Sequence, residues 1–402
     1  MLKRIFYGWW VVFACFGISF YVGGTTFYGF TAFFEPLVRE FGWSYAQVSL
    51  AASLRGLEMG IFAPLVSLLV DRYGSRKIVF SGTLFVGLGL VMLSLTRSLT
   101  MFYGSFLLIA FGAGGCVSVV TMTVVANWFQ KRIGIALGVM MSGFGASGLL
   151  IPLIVRLIAL YGWRSTLIML GLGMWTIGLP LSLVIRNTPE EYGCLPDGEP
   201  PKHPCSSLQF QAADAELTLG EVIRKRSYIF LNVAEAIRML ALAAVITHVM
   251  PYLSSVGMAR TSAGLVAAAI PLCSIMGRFG FGWLADFFEK RYVLSAAYFI
   301  MGVGLLAFCD AKATWAILLF LVFFSSGSGG TIILRGAILR EYFGRRSLGK
   351  MLGVMMGFGS LGGIIGPTVA GWAFDAMGSY QFIWLIYCGL ICLTVVLIVK
   401  IR

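Results

Sequence analysis

"GVMMSGFGASG", residues 138–148, recurs as "GVMMGFGSLGG" at residues 353–363, an offset of 215. The same offset relates further pairs: Pro36 and Pro251, Gly42 and Gly257, Asp71 and Asp286, Gly134 and Gly349, and Pro152 and Pro367. Single glycine and proline matches are common by chance, but a repeated tetrapeptide at one constant offset is not. The sequence therefore predicts two structurally duplicated halves.

The composition indicates that lipid is the solvent for most of the chain. Of its 402 residues 59% are hydrophobic and 12% are charged, and the mean hydropathy is +0.90. In soluble domains about a quarter of the residues are charged. Runs of about 20 apolar residues cross a bilayer as helices. We predict an all-α membrane protein with twelve such helices, at roughly 8–34, 44–70, 78–96, 100–129, 134–160, 165–186, 228–252, 262–285, 292–309, 312–342, 350–376 and 379–400.

One long polar stretch, rich in Pro, Gly and acidic residues, divides these spans six and six. We predict an N-terminal half over 1–186, a cytoplasmic linker over 187–226 that ends in a short amphipathic helix, and a C-terminal half over 227–402. Two six-helix halves related about the membrane normal are typical of transporters, whose substrate site lies near the midplane between the halves. The first span lacks a cleavage pattern, so we expect it to remain as a helix.

The net charge of +13 is distributed asymmetrically. Lys and Arg cluster in alternate loops, at 72–77, 131–132, 224–226, 290–291 and 345–346, and are sparse in the others. This positive-inside bias predicts a multi-pass protein of the cell membrane (inner or plasma membrane) with both termini in the cytoplasm. The basic loops are expected to face anionic lipid of the bilayer, and we expect no nucleic-acid partner.

From the sequence we expect no metal site and no cofactor, and we expect that the protein is not an enzyme. Its eight cysteines include no CxxC and no cluster with metal-ligand spacing. The glycine strings are not phosphate loops, because no GK[ST] follows them; they allow helices to pack closely. With two histidines, one of them in the linker, an intramembrane nucleophile and base pair is not expected.

Several motifs resemble one known family. "LLVDRYGSRK" at 68–77 and its repeat "WLADFFEKR" at 283–291 resemble the loops after helices 2 and 8 of the major facilitator superfamily. More narrowly, the monocarboxylate transporter branch, which includes the oxalate:formate exchangers, is similar in "FYGWW" at 6–10, "EFGWS" at 40–44, "NWFQKRIGIALG" at 127–138, "TPEEYGCLPDG" at 188–198 and "EYFGRR" at 341–346. The resemblance covers nearly the whole chain and implies the major facilitator fold.

Arg278, in the eighth span, is the strongest candidate for substrate binding. Asp286 is expected to mark the cytoplasmic end of this span, and Arg278 lies eight residues before it. Eight residues of helix correspond to about 12 Å, which places Arg278 near the middle of a hydrocarbon core about 30 Å thick. A guanidinium binds a carboxylate through two parallel hydrogen bonds. The resemblance implies the same role, since the helix-8 arginine of the family binds substrate carboxylate. A structural ion pair with an acid on another helix is the alternative.

The proton-handling pair of animal monocarboxylate transporters cannot be transferred to this chain. Their helix-8 aspartate is replaced by Ser274, and helix 1 contains no lysine. His248, three residues before Pro251, is the candidate for proton coupling with Arg278 and for substrate binding, because histidine titrates near the working pH. Bacterial relatives resemble this segment, including the histidine. The alternative is a structural histidine, hydrogen-bonded near the outer interface.

Other charged residues within spans compete for a role. Arg55 with Glu58, and Glu235 with Arg238, are three residues apart on one helix and are expected to pair. Arg238 would suit a dicarboxylate if it faced the cavity. Arg335 is expected to reach the headgroups, and Lys350 is interpreted as a gate or interface residue.

Weaker candidates complete the predicted site. A small organic acid also needs hydroxyl donors and an apolar wall; the mid-span residues of these types are Thr25, Tyr28, Ser142, Phe144, Ser326, Ser328 and Phe358. Each could equally serve in packing. We expect an inner gate of charged residues, formed by Asp71, Arg72, Asp286 and Arg291, with a solvated loop as the alternative.

These features and the resemblance together predict a secondary active transporter that works as a monomer by alternating access. Its substrates would be small monocarboxylates of the lactate or pyruvate type, moved by symport with a proton that either His248 or the bound acid itself carries. The alternative is an organic-anion exchanger of the oxalate:formate type. A receptor or a channel for the same anions remains open, and flux and turnover measurements would distinguish them.

Overall fold

The computed structural model describes residues 6–56, 62–117, 119–129, 132–189, 225–343 and 348–401. These ranges are helical nearly throughout, as predicted. The linker predicted over 187–226 lies almost entirely outside the described residues, as do Glu58 and the side chains of Asp71 and Lys350.

The α-helices before the linker are α1 Tyr7–Val22, α2 Thr31–Phe41, α3 Tyr45–Ser53, α4 Ala63–Tyr73, α5 Ser75–Ser94, α6 Leu99–Cys116, α7 Val119–Trp128, α8 Ile133–Ala146, α9 Leu150–Gly173 and α10 Leu179–Val184. Those after it are α11 Arg226–Ser255, α12 Arg260–Phe287, α13 Lys290–Phe308, α14 Thr314–Leu319, α15 Ser325–Phe343, α16 Leu348–Met377 and α17 Gln381–Val399. Short π-helical turns at Gly23–Phe27, Met174–Gly178 and Phe320–Phe324 extend α1, α9 and α14.

Ten segments of the described residues are long and apolar enough to cross a membrane: Tyr7–Phe41, Ser75–Ser94, Leu99–Trp128, Ile133–Val184, Arg226–Ser255, Arg260–Phe287, Lys290–Phe308, Thr314–Leu339, Met351–Met377 and Gln381–Val399. Ile133–Val184 has 52 residues, enough for two crossings of about 20 residues each. Gly162 interrupts it with a φ of 77°. The predicted span 44–70 includes the undescribed residues 57–61, with α3 and α4 on either side. The architecture is consistent with twelve crossings.

Glycines set the closest helix contacts, because a missing side chain lets two backbones approach. A Cβ on Gly362 of α16 would lie 2.0 Å from the Ala236 carbonyl oxygen of α11. One turn further along, a Cβ on Gly366 would lie 2.1 Å from the Leu240 carbonyl oxygen. This part of the second glycine string therefore packs one helix directly against another, as the sequence predicts.

One repeated glycine pair has the same local structure in both halves. Gly42 follows α2 with a φ of 65°, and Gly257 follows α11 with a φ of 94°. Only glycine adopts this left-handed conformation without strain, so it commonly ends a helix. The offset of 215 therefore relates two equivalent helix ends.

The chain divides into two compact units. The first contains the described residues of Met1–Phe27, Ile61–Ser147 and Arg164–Asp214, and the second contains those of Tyr28–Gly60, Gly148–Trp163 and Ala215–Arg402. In the first unit Arg164 donates to the carbonyl oxygens of Ser94 and Thr96, at 2.6 and 3.0 Å, and so caps the end of α5. The second unit contains Arg278 and His248. The division at 186 and 227 stays a prediction.

Candidate functional site

Arg278 is a half-buried guanidinium on α12. Its Nε atom is buried and has no hydrogen-bond partner. Within the part of the chain that the structure describes, Arg278 makes no ion pair with an acid on another helix. A positive charge within a membrane span is costly when no carboxylate neutralises it. Because Arg278 is not engaged in such a pair, it can bind an anion without first breaking one.

Close packing of α12 against α15 fixes the backbone beside Arg278. A Cβ on Gly277 would lie 1.9 Å from the Ser326 carbonyl oxygen, and one on Gly329 would lie 2.0 Å from the Ser274 carbonyl oxygen. The Ser274 hydroxyl donates to the Pro271 carbonyl oxygen within its own helix, at 2.7 Å. The two helices thus touch through their backbones next to the guanidinium, which holds it in a defined place.

Tyr28 is the predicted site residue that the structure brings into the neighbourhood of Arg278. Its side chain is buried and interacts electrostatically with both Arg278 and Arg238. A tyrosine hydroxyl can donate a hydrogen bond to an anion. Tyr28 and the two arginines therefore form one group of potential donors in the second unit.

Glu235 holds two arginines at the centre of the second unit. Its Oε2 accepts from Arg238 Nε at 2.8 Å, and its Oε1 lies 2.5 Å from Arg238 Nη2 and 2.6 Å from Arg335 Nη1. The predicted pairing of Glu235 with Arg238 is confirmed. The expectation that Arg335 reaches the headgroups is wrong, because the buried carboxylate draws it inward.

These four residues, Arg238, Arg278, Arg335 and Glu235, are called the arginine cluster below. The Arg238 and Glu235 side chains are each 3% exposed, and that of Arg335 is 18% exposed. Three guanidiniums and one carboxylate give the cluster two positive charges in excess. Such an excess in a poorly solvated place attracts anions.

Sequence reasoning placed Arg335 too near the membrane surface, although a signal for its depth was present. Arg335 precedes Arg345 of the cytoplasmic "GRR" by ten residues, or about 15 Å along a helix. The same count identified Arg278 as deep. The sequence also missed Tyr298, a buried tyrosine of α13 that interacts electrostatically with Glu235, Arg238 and Arg335.

His248 is fully buried and its two ring nitrogens are occupied. Nε2 lies 2.9 Å from the Pro367 carbonyl oxygen and 3.0 Å from Ser49 Oγ, and Nδ1 lies 2.9 Å from the Tyr380 hydroxyl. A carbonyl only accepts, so Nε2 carries the proton and Nδ1 accepts from Tyr380. In this neutral tautomer the Nε2–H is shared between the Pro367 carbonyl oxygen and Ser49 Oγ, whose own hydroxyl donates to the Tyr45 carbonyl oxygen. His248 thus joins α3, α11, α16 and the residue before α17.

Thr25 and Phe144, two predicted site residues of the first unit, lie at the π-helical turn that follows α1. The Thr25 hydroxyl donates to the Tyr21 carbonyl oxygen at 2.8 Å. The Phe144 ring lies 5.3 Å from the Phe27 ring, centroid to centroid. Ser142 is half-buried and donates to the Val139 carbonyl oxygen at 2.6 Å. Thr25 and Phe144 are therefore neighbours through this turn.

The remaining predicted residues of the second unit differ in exposure. Ser326 donates to the Val322 carbonyl oxygen, and the buried Ser328 donates to the Ser325 carbonyl oxygen at 2.8 Å. Phe358 is 43% exposed. Both hydroxyls are bound within α15 or the turn before it, as is common for serine in apolar helices.

Among the described gate residues, Arg291 binds groups outside the predicted gate. Arg291 pairs with Glu289, Nε to Oε1 at 2.6 Å, and its Nη1 donates to the Ile401 carbonyl oxygen at 3.0 Å. Asp286 is exposed and has no ion-pair partner among the described residues. Arg72 is exposed and lies over the Tyr73 ring. A network that unites Asp286 with Arg291 is therefore not formed here, and the gating role of both stays a prediction.

Comparisons with known proteins identify the family. Residues 9–250 and 231–402 match the model of the Major Facilitator Superfamily. The chain is 27% identical to monocarboxylate transporter 12-B of Danio rerio, over 93% of this chain and 82% of the relative. It is 26% identical to monocarboxylate transporter 4 of Mus musculus, over 94% of this chain and 80% of the relative.

The fold matches solved structures of the same kind. A bacterial homolog of the human lysosomal transporter Spinster, in an inward-facing and unoccupied conformation, superposes with a TM-score of 0.75 at 16% identity, covering 99% of this chain and 95% of that one. The family model, which matches nearly the whole chain, shows that the chain belongs to the Major Facilitator Superfamily. It is a multi-pass membrane transporter and not an enzyme.

Proposed function

We propose that this transporter moves small monocarboxylates of the lactate or pyruvate type together with a proton, by alternating access. The observation that carries the proposal is Arg278, a guanidinium at a mid-span position with no ion-pair partner among the described residues. The similarity of the chain to monocarboxylate transporters supports the substrate class.

Binding at Arg278 gives a physical reason for coupling. A carboxylate that binds the guanidinium through parallel hydrogen bonds removes the electrostatic cost of that buried charge. Return of the empty carrier leaves the charge uncompensated again. Entry of a proton with each anion makes the net movement electroneutral, so the membrane potential does not oppose uptake of the anion.

Two routes for the proton follow from the residues. Either the substrate travels as the carboxylic acid, or His248 carries the proton. The hydrogen bonds of His248 support the first route, since its neutral form already satisfies Tyr380 and Pro367. We therefore infer that the substrate acid carries the proton, and that His248 fixes four helices to one another.

Exchange of two organic anions is the second candidate function. The excess of two positive charges in the arginine cluster favours it, because an exchanger reorients only with an anion bound and never moves its cationic site through the membrane empty. In either case we infer a monomer in the cell membrane, with both termini cytoplasmic and with the charged residues at Asp71, Arg72, Asp286 and Arg291 at its inner gate.

Purified protein in liposomes tests the proposal. Uptake of labelled L-lactate is followed under an imposed inward proton gradient, with and without unlabelled anion inside the vesicles. Uptake driven by the gradient alone supports symport. Uptake only against internal anion would replace symport by exchange, and no uptake in either arm would contradict the substrate class.

A further inference from the structure

We propose that Glu235 determines the substrate charge that this transporter accepts: it masks Arg238 and so limits the site at Arg278 to one carboxylate. This inference rests on the proposed function and deepens it. A dicarboxylate needs a second cationic donor group near the first. Arg238 is the candidate for that group, and Glu235 neutralises its charge in an ion pair.

The close ion pair with Glu235 masks the charge of Arg238. Both carboxylate oxygens of Glu235 face it, Oε2 at 2.8 Å from Nε and Oε1 at 2.5 Å from Nη2. The guanidinium has five N–H donors, and this salt bridge uses that of Nε and one of Nη2. The second edge, Nη1 with the other N–H of Nη2, is left, and Nη1 is a buried atom without a hydrogen-bond partner. A second substrate carboxylate at that edge would meet a guanidinium whose charge Glu235 already neutralises, and it would be repelled by the Glu235 carboxylate.

Arg238 and Arg278 belong to one electrostatic neighbourhood. Tyr28 interacts with both charges, and Arg278 interacts with Arg238 directly, as a like charge. Two cations that interact in this way repel each other unless anionic charge lies near. Glu235 supplies one such charge, and a bound monocarboxylate supplies the second, which leaves the arginine cluster with one excess positive charge.

Glu235 cannot easily turn away from Arg238, because it is held on two further sides. Arg335 Nη1, on α15, binds the same Oε1 atom at 2.6 Å. A Cβ on Gly359 of α16 would lie 3.4 Å from Glu235 Cγ, so the side chain is packed along its stem as well. Arg335 is in this sense a positioning residue, which holds the mask in place without binding substrate.

Two double variants with the same net charge test the inference. Glu235→Gln with Arg335→Gln removes the mask and leaves Arg238 free, whereas Glu235→Gln with Arg238→Gln removes the mask together with the arginine it covers. Each loses one negative and one positive charge, so neither leaves an additional uncompensated charge. Labelled malonate and L-lactate serve as the dianionic and monoanionic probes, in liposomes and by ligand-induced thermal stabilisation of the purified protein.

We expect the ratio of malonate to lactate uptake to rise at least about tenfold in the variant that keeps Arg238, the order of one hydrogen bond to a charged group. The ratio should remain at the wild-type value in the variant that lacks Arg238. Equal ratios in the two variants, or wild-type uptake of malonate as fast as that of lactate, would overturn the inference.

The stabilisation measurement separates this inference from the proposed function. Wild-type protein that takes up no lactate would contradict the proposed function alone. Malonate would still be expected to stabilise the variant that keeps Arg238 more than the variant that lacks it. Equal stabilisation of the two variants by malonate would reject the role of Glu235 even if lactate transport is established.

Discussion

Gly277 and Ser326 are in backbone contact: a Cβ on Gly277 would lie 1.9 Å from the Ser326 carbonyl oxygen. The contact joins α12 to α15 one residue before Arg278. The position of the guanidinium therefore depends on a glycine that itself binds nothing.

Gly277→Ala is expected to separate the two helices and displace Arg278. Overpacking of this kind costs about 1–3 kcal/mol, so both the unfolding temperature in detergent and lactate uptake should fall. Gly280→Ala is the matched control, because position 280, on the same helix, has nothing within 4 Å of an added Cβ. Equal stability and uptake of the two variants would show that the contact does not position Arg278.

His248→Gln tests which group carries the proton. The substitution disturbs the bonds to Pro367, Ser49 and Tyr380, and an unsatisfied buried polar group costs about 1–3 kcal/mol, so we expect a lower unfolding temperature. The pH dependence of lactate uptake should keep its shape, because the proton moves with the substrate acid. Loss of gradient-driven uptake with intact anion exchange would instead assign the proton to His248.

Tyr380→Phe tests the hydrogen bond to His248 by changing its partner. It removes the hydroxyl that donates to Nδ1 and leaves the ring packing, so a loss of about 1 kcal/mol in stability is expected. The pH dependence of uptake should again be unchanged. A shift of that dependence in the Phe variant, measured in the same liposomes, would indicate that Nδ1 takes up a proton during transport.

Asp375 anchors the start of α3 from α16. Its two carboxylate oxygens accept from the backbone N–H groups of Tyr45 and Ala46, at 2.9 and 2.8 Å. Loss of such a cap costs about 0.5–2 kcal/mol, so Asp375→Ala should lower the unfolding temperature, and Asp375→Asn should lower it less. Asp286→Ala, at an exposed carboxylate, is the control, and an equal effect of the two alanine variants would contradict the anchoring role.

The sequence predicted the fold well because its signals are local and repeated. Hydropathy located the helices that are long enough to cross a membrane, and the offset of 215 relates the equivalent helix ends at Gly42 and Gly257, while the two halves stay a prediction. Arg278 was identifiable because its depth follows from counting along one helix. The i to i+3 spacing of Glu235 and Arg238 likewise predicted their pairing.

Contacts between helices far apart in sequence could not be predicted. The binding of Arg335 to Glu235 depends on how α15 lies against α11, and no spacing rule gives that. Likewise, the neighbours of His248 come from α3, α16 and the residue before α17. Its sequence context alone fitted a proton carrier as well as a buried hydrogen-bonded residue, and only the arrangement of the helices supplies its partners.

Lactate uptake by Arg278→Lys and Arg278→Ala tests the central claim most directly, with Arg97→Ala, at an exposed arginine between α5 and α6, as the control. Lysine keeps the charge but not the two parallel donors, so both Arg278 variants should lose gradient-driven uptake while they unfold at the wild-type temperature or above it, and the control should transport normally. Undiminished uptake by Arg278→Ala would contradict the assignment of Arg278 as the carboxylate-binding residue.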